Sequence, residues 1–333
     1  MNPVITLSDV RKRFRARRAA EGGVRARLKS ALFPEFQDVV AVDGVSFELR
    51  RGERVAFIGP NGAGKSTTLK ILSGILCADS GRTEVLGLSP FEDRARLGFR
   101  VGTVFGQRSQ LWYQLPARDS FELFAHVYEL PRSVFRERLS TLVEAFELGA
   151  LLDRPVRELS LGERMRAEIA ASLLHAPEIL FLDEPTIGLD VTAKAAIREH
   201  LLRQSQQDQA TLLLTSHDTG DIERVCERVI VIHRGKVLLD APMAVLKRRY
   251  LGKRRVTILT EAADLVFDLP GVEVIGRAPH RTTLELAIER TSLGALVDAV
   301  SRETTLRDLE IEDPPLDDVI RALYADADRG QSP

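Results

Sequence analysis

The chain has 333 residues, with 47 Lys and Arg against 48 Asp and Glu, a formal net charge of −1. A hydrophobic share of 44% and a charged share of 29% suit a globular protein with a sizeable core, long enough for one large domain and a smaller one. The balanced charge argues against nucleic acid as a partner, and no apolar run approaches the ~20 residues needed to cross a bilayer, so a membrane role would need a separate spanning partner.

The first ten residues, Met1–Val10, lack the continuous apolar core of a signal peptide. Val4–Leu7 can open a strand, and Arg11–Lys29 is densely basic. That stretch reads as a solvated, partly disordered insertion, with contact to lipid headgroups or an acidic partner loop as the alternative. Val39–Leu49 alternates as a strand does, through Val45, Phe47 and Leu49, and a turn follows at Arg51-Gly52-Glu53. Arg54–Ile58 is a short apolar strand that runs into a glycine-rich loop. Ser66–Leu76 then has helical spacing, with Leu69, Leu72 and Leu76 on one face. Ser120–Leu152 is helical in texture and reads as a subdomain inserted into an α/β core. The core resumes with a helix near Glu163–Leu174, a strand at Ile179–Leu182, a helix near Thr192–Ser205, and strands at Thr211–Thr215 and Val229–His233. This alternation predicts a largely parallel sheet covered on both faces.

Lys247–Arg255 reads as a basic linker. Beyond it come strand-like Val256–Leu259 and Val272–Ile275, the alternating Leu284, Leu286 and Ile288, a helix through Leu293, Leu296, Val297 and Val300, and a strand-like Leu306–Ile311. A last helix is expected from Pro314-Pro315. The expected domains are therefore 1–246, with a helical subdomain at about 108–175, and a small α+β domain at 247–333. The last carries no ligand-type cluster, and dimer support or regulation is its default role. Cys77 and Cys226 lie far apart without metal-ligand companions, which predicts two free thiols in a reducing cytosol.

The chemistry is concentrated in the first domain. Gly59-Pro60-Asn61-Gly62-Ala63-Gly64-Lys65-Ser66, followed by Thr67, fits the phosphate-loop pattern between a strand and a helix. Its glycines let backbone N–H groups and a helix N-terminus face phosphates. Lys65 is expected to reach the β- and γ-phosphates of ATP, and Ser66 to ligate Mg²⁺. The apolar strand ending in Asp183-Glu184 suits Asp183 as a second Mg²⁺ ligand and Glu184 as the group that polarises an attacking water.

Together these residues resemble the ABC ATPase family, whose remaining motifs follow in order. Leu159-Ser160-Leu161-Gly162-Glu163 is similar to the ABC signature. Gln107 matches the Q-loop glutamine, which would sense Mg²⁺ and the attacking water. Gly188-Leu189-Asp190 matches the D-loop, and Ser216-His217-Asp218 the H-loop, whose histidine would contact the γ-phosphate. The resemblance covers about Val4–Leu246. It implies a P-loop ABC ATPase core: a mainly parallel sheet with an antiparallel β part and an inserted helical subdomain. It also implies a head-to-tail homodimer or heterodimer, in which Ser160 and Gly162 face the ATP held by the other copy. A separate transmembrane permease at the cytoplasmic face of the cell membrane would be the partner, in a system resembling ABC-2 exporters.

Two signature positions depart from the family pattern: Leu161 stands for the usual glycine and Glu163 for the usual glutamine. Contacts from Ser160 and Gly162 are expected to survive them. For stacking on adenine, Phe14 holds the usual place and Phe36 competes with it. Leu111–Pro116, with the only Trp of the chain, suits either a docking surface for the permease or packing within the subdomain. A soluble ABC protein acting on nucleic acid or ribosomes usually carries two motors or a long coiled coil, and neither is present. A P-loop kinase or GTPase would leave the signature and His217 unexplained.

Overall fold

The structure is a computed structural model. It describes residues 3–17, 36–106, 109–250, 253–263, 265, 269–288, 290–312, 316, 319–321 and 323–324. The chain divides into two compact units, Met1–Asp240 and Ala241–Pro333.

In the first unit, strands β1 (Ile5–Arg17), β2 (Phe36–Leu49) and β4 (Ser80–Val85) form an antiparallel sheet in the order β2-β1-β4. The pairing of β1 with β2 runs from Ile5 opposite Leu49 to Arg17 opposite Phe36. Arg11–Arg17, expected within a partly disordered insertion, is therefore strand, held by this ladder and by Asp79, which accepts from Lys12 Nζ at 2.6 Å and from Arg13 N at 2.7 Å. The rest of that basic stretch lies outside the described residues.

The second sheet contains β3 (Arg54–Ile58), β5 (Val101–Phe105), β6 (Ile179–Asp183), β7 (Thr211–Thr215), β8 (Arg228–His233) and β9 (Lys236–Pro242), in the order β5-β6-β7-β3-β8-β9. The four pairings from β5 to β8 are parallel. Successive side chains of a strand point to opposite faces. Val55 and Phe57, Ile179 and Phe181, and Ile230 and Ile232 accordingly share one core cluster with Leu69 and Leu72. Val45, Phe47 and Leu49 of the antiparallel sheet join the same cluster, and the rings of Phe47 and Phe57 stand 5.6 Å apart. The antiparallel sheet is thus clamped over the parallel one, beside the loop that follows β3.

Helices Ala117–Val127, Arg132–Ala145 and Leu161–Leu173 make up the helical part. Ala117, Phe121 and Ala125 are buried at a spacing of four residues, as one helix face requires. His175 stacks on Tyr128 with ring centroids 3.9 Å apart, and its Nε2 donates to Val101 O at 3.0 Å.

In the second unit, β10 (Lys253–Thr260), β11 (Val272–Ala278), β12 (Arg281–Ala287) and β13 (Leu306–Glu312) form an antiparallel sheet in the order β11-β12-β10-β13. Leu296 and Val300 of the helix Leu293–Glu303 pack on Val256, Ile258, Leu284 and Leu286. Two expectations need correction here. Ile288 lies past the end of β12 and is exposed. Lys247–Arg255 is no linker: a helix spans Met243–Tyr250 and β10 begins at Lys253. The two compact units divide between Asp240 and Ala241, ahead of that helix, in which Met243 and Leu246 are buried. Of the expected last helix, Pro314-Pro315 lies outside the described residues.

Candidate active site

The glycine-rich loop leaves the end of β3 and closes under the helix Lys65–Leu72. Side chains cannot replace two of its glycines. A Cβ at Gly59 would lie 2.3 Å from Ile232 O, and one at Gly64, where φ is 108°, would lie 2.3 Å from Ala41 O. No side chain caps the helix, so its first-turn N–H groups are left to an anion. Lys65 is buried and donates to Gly59 O at 2.6 Å and to Pro60 O at 3.3 Å. Burial lowers its pKa, opposed by the charges of Glu184 and Asp183.

Parallel pairing sets Asp183 opposite Thr215, and Thr215 Oγ1 donates to Asp183 Oδ1 at 2.6 Å. Glu184 follows in the left-handed region, with φ 56°, and its N–H lies 3.1 Å from both Thr215 O and Thr215 Oγ1. His217 N donates to Glu184 Oε2 at 3.2 Å. His217 Nε2 stands 3.2 Å from Glu184 Oε1, which makes no hydrogen bond although it is buried. Burial raises the Glu184 pKa, opposed by His217 and Lys65.

Behind these residues lies a node that sequence reasoning missed. The Asp221 carboxylate, 1% exposed, accepts from Thr186 Oγ1 and from Ser216 Oγ (3.2 Å) and pairs with Arg198. It fastens the turn after Glu184 to the residue before His217. Asp218 caps the next helix through Gly220 N at 2.9 Å and pairs with Lys194. Ser216 and Asp218 belong to the predicted H-loop motif and Thr215 ends the predicted strand before it. Asp221 carried no signal of its own.

A cleft of about 700 Å³ gathers these groups. Phe14, Val39 and Val40 line one part, Pro60–Thr67 line the floor, and Asp183, Glu184 and His217 line another part. Phe36 is not among the lining residues; it lies against Arg15, 5.0 Å from ring centroid to guanidinium. Gln107 lies outside the described residues. Its neighbour Gly106 donates to Asp183 O at 3.0 Å. Among the described residues no group of three or more His, Cys, Asp and Glu could hold a metal ion alone. Ser66 and Asp183 nevertheless face the same cleft, and such a donor pair suits Mg²⁺, which usually completes its shell with water and phosphate oxygens. The residues present fit the ion on that chemistry.

Ser160 and Gly162 do not line this cleft. Ser160 caps the helix Leu161–Leu173 through a capping box: its side chain accepts from Glu163 N at 3.2 Å, and Glu163 Oε2 accepts from Ser160 N at 2.7 Å. Glu163 also pairs with Arg154 at 3.2 Å, so the acid at this position is turned back on its own helix end. The Ser160 N–H bond is the main cause that lowers its pKa. Leu161 sits over Gly188, where a Cβ would come 2.4 Å from Leu161 Cδ2. Both thiols are free, Cys77 exposed and Cys226 buried.

Comparison with known proteins shows the family. The ABC transporter family model matches residues 42–187. A daunorubicin resistance ATP-binding protein, DrrA3 of Streptomyces coeruleorubidus, is 32% identical over 296 residues, covering 87% of this chain and 93% of the relative. The chain belongs to the ABC transporter ATP-binding proteins. A Nod factor export ATP-binding protein I of Ralstonia nicotianae is 37% identical over 201 residues, covering 60% of this chain and 62% of that one. Among solved structures, cbiO1 from Clostridium perfringens, part of the ABC transporter complex cbiONQ, superposes with a TM-score of 0.59 at 25% identity, covering 76% of this chain and 94% of that one. This ABC ATPase is thus an ATP-binding and ATP-hydrolysing subunit, and among its described residues no helix is long and apolar enough to cross a membrane.

Proposed function

We propose that the chain is the motor of an exporter, working as a head-to-tail dimer at the cytoplasmic face of a membrane and bound there to a separate permease. The observation that carries the reading is the division of the motifs. The phosphate loop, Asp183, Glu184 and His217 share one cleft, while Ser160 and Gly162 stand outside it, as groups that close the cleft of a second copy would. Export is supported by the export and resistance proteins among the relatives.

In this reading Phe14 stacks on adenine, and Gly59–Thr67 wrap the phosphates with backbone N–H groups. Lys65 turns from the carbonyls of Gly59 and Pro60 to the β- and γ-phosphates. Ser66 and Asp183 would hold Mg²⁺, which would supply charge neutralisation on the phosphate oxygens. Glu184 accepts a proton from the attacking water, as its raised proton affinity favours. His217, already beside Glu184, orients that carboxylate and reaches the γ-phosphate. Release of ADP and phosphate opens the dimer, and the permease feels that motion through Leu111–Pro116. Trp112 and Tyr113 are 46% and 52% exposed, which favours docking over internal packing.

Affinity capture of the tagged protein from detergent-solubilised native membranes tests the assignment. A polytopic membrane protein is expected to come with it, and Trp112→Ala or Tyr113→Ala to weaken its recovery. Recovery of ribosomes or nucleic acid without a membrane protein would contradict the reading.

A further inference from the structure

Glu168 lies on the helix that Ser160 caps, 4% exposed, in a position that an apolar residue would fill without a desolvation cost. Its carboxylate is instead fully engaged by the segment that follows Gln107. Ser109 Oγ donates to Oε1, Gln110 N donates to Oε2 at 3.1 Å, and the Gln110 side chain donates to Glu168 O at 2.9 Å. Gln110 is therefore gripped at two points. The same segment is held again on the other side of the signature: Arg157 N donates to Tyr113 O at 2.9 Å and Val156 N to Leu115 O at 3.0 Å. Residues 109–115 are strapped to both flanks of Ser160–Gly162, by Val156–Arg157 before it and by Glu168 about 9 Å of rigid helix beyond it.

We infer that Glu168 is a positioning residue that makes the exposed Trp112–Tyr113 segment and the signature helix one moving body. A force on that segment is then delivered to Ser160 and Gly162, and closure of the signature on ATP is delivered back to it. The inference rests on the proposed function, in which Ser160 and Gly162 meet the nucleotide of a second copy. It adds the residue through which the two surfaces communicate.

Trp112 is the only tryptophan and reports on the segment directly. In a Glu184→Gln background, where ATP is retained, Mg-ATP is expected to shift Trp112 emission as the dimer closes. Adding Glu168→Gln, which keeps one acceptor oxygen, is expected to reduce that response at least twofold. Glu168→Ala is expected to abolish it. Equilibrium dialysis should find ATP affinity within twofold of the parent in both, which a general loss of structure would not permit. Should the Glu168 variants fail to fold, Ser109→Ala with Gln110→Ala removes the donors from the other side and is expected to give the same loss. An undiminished Trp112 response in these variants, or ATP-driven dimerisation of the parent with no response at all, would overturn the inference alone. Absence of ATP binding by the parent would overturn the functional reading together with it.

Discussion

Glu184 occupies a left-handed backbone conformation that an L residue adopts only when its surroundings enforce it, and here Thr215 and His217 do so. Glu184→Gln keeps shape and hydrogen-bond capacity but cannot take the proton. Its turnover is expected to fall on the order of 10²- to 10⁴-fold with ATP binding retained, measured by phosphate release and equilibrium dialysis. His175 makes a different prediction. Burial, partly offset by its bond to Val101 O, lowers its folded pKa to about 4 from 6.5. Below pH 6.5 the unfolded state takes the extra proton, so stability is lost as pH falls from 6.5 towards 4, by about 3 kcal/mol in full. His175→Phe keeps a ring against Tyr128 without the titration. The stability advantage of the wild type over it in urea unfolding should therefore shrink over that window. At this scale the phosphate loop, Asp183, Glu184 and His217 were legible because each sits in a contiguous motif. Asp221 and Glu168 were not, since their partners lie 35 and 58 residues away and only the folded chain brings them together.

The helix Leu161–Leu173 shows how an element can satisfy both fold and site. In its capping box the Ser160 hydroxyl only accepts, so its O–H remains a donor for the nucleotide of a second copy. Ser160→Ala is expected to cost about 1 kcal/mol in urea unfolding, the usual loss of a cap. It should also slow ATP turnover with little change in ATP binding by the single subunit. The β1–β2 ladder brings Phe14 to the cleft and leaves Phe36 against Arg15, which supports Phe14 as the proposed platform for adenine. Phe14→Ala is expected to raise the KM for ATP several-fold with kcat little changed, and Phe36→Ala to leave both near wild type. Strands with strong alternation, such as Val45–Leu49, were readable. The strand character of Arg11–Arg17 was hidden because its stabilisation comes from long-range pairing and from Asp79 rather than from local pattern.

At the scale of the whole molecule, the parallel order β5-β6-β7-β3-β8 sets the C-terminal ends of β3, β6 and β7 side by side, which is why three motifs distant in sequence meet in one cleft. The alternation of strands and helices announced that class of fold. The unit boundary was less legible, since the basic run Lys247–Arg255 masks the buried Met243 and Leu246 just ahead of it. The proposed function requires two copies, because the cleft and Ser160–Gly162 do not meet within one. The most direct test is the mass of the Glu184→Gln protein by sedimentation velocity, with and without Mg-ATP. A monomer is expected without nucleotide and a stable dimer with Mg-ATP, lost again when Ser160→Ala and Gly162→Asp are added. A protein that binds Mg-ATP in the Phe14–His217 cleft yet stays monomeric alone and with its permease would contradict the proposed function.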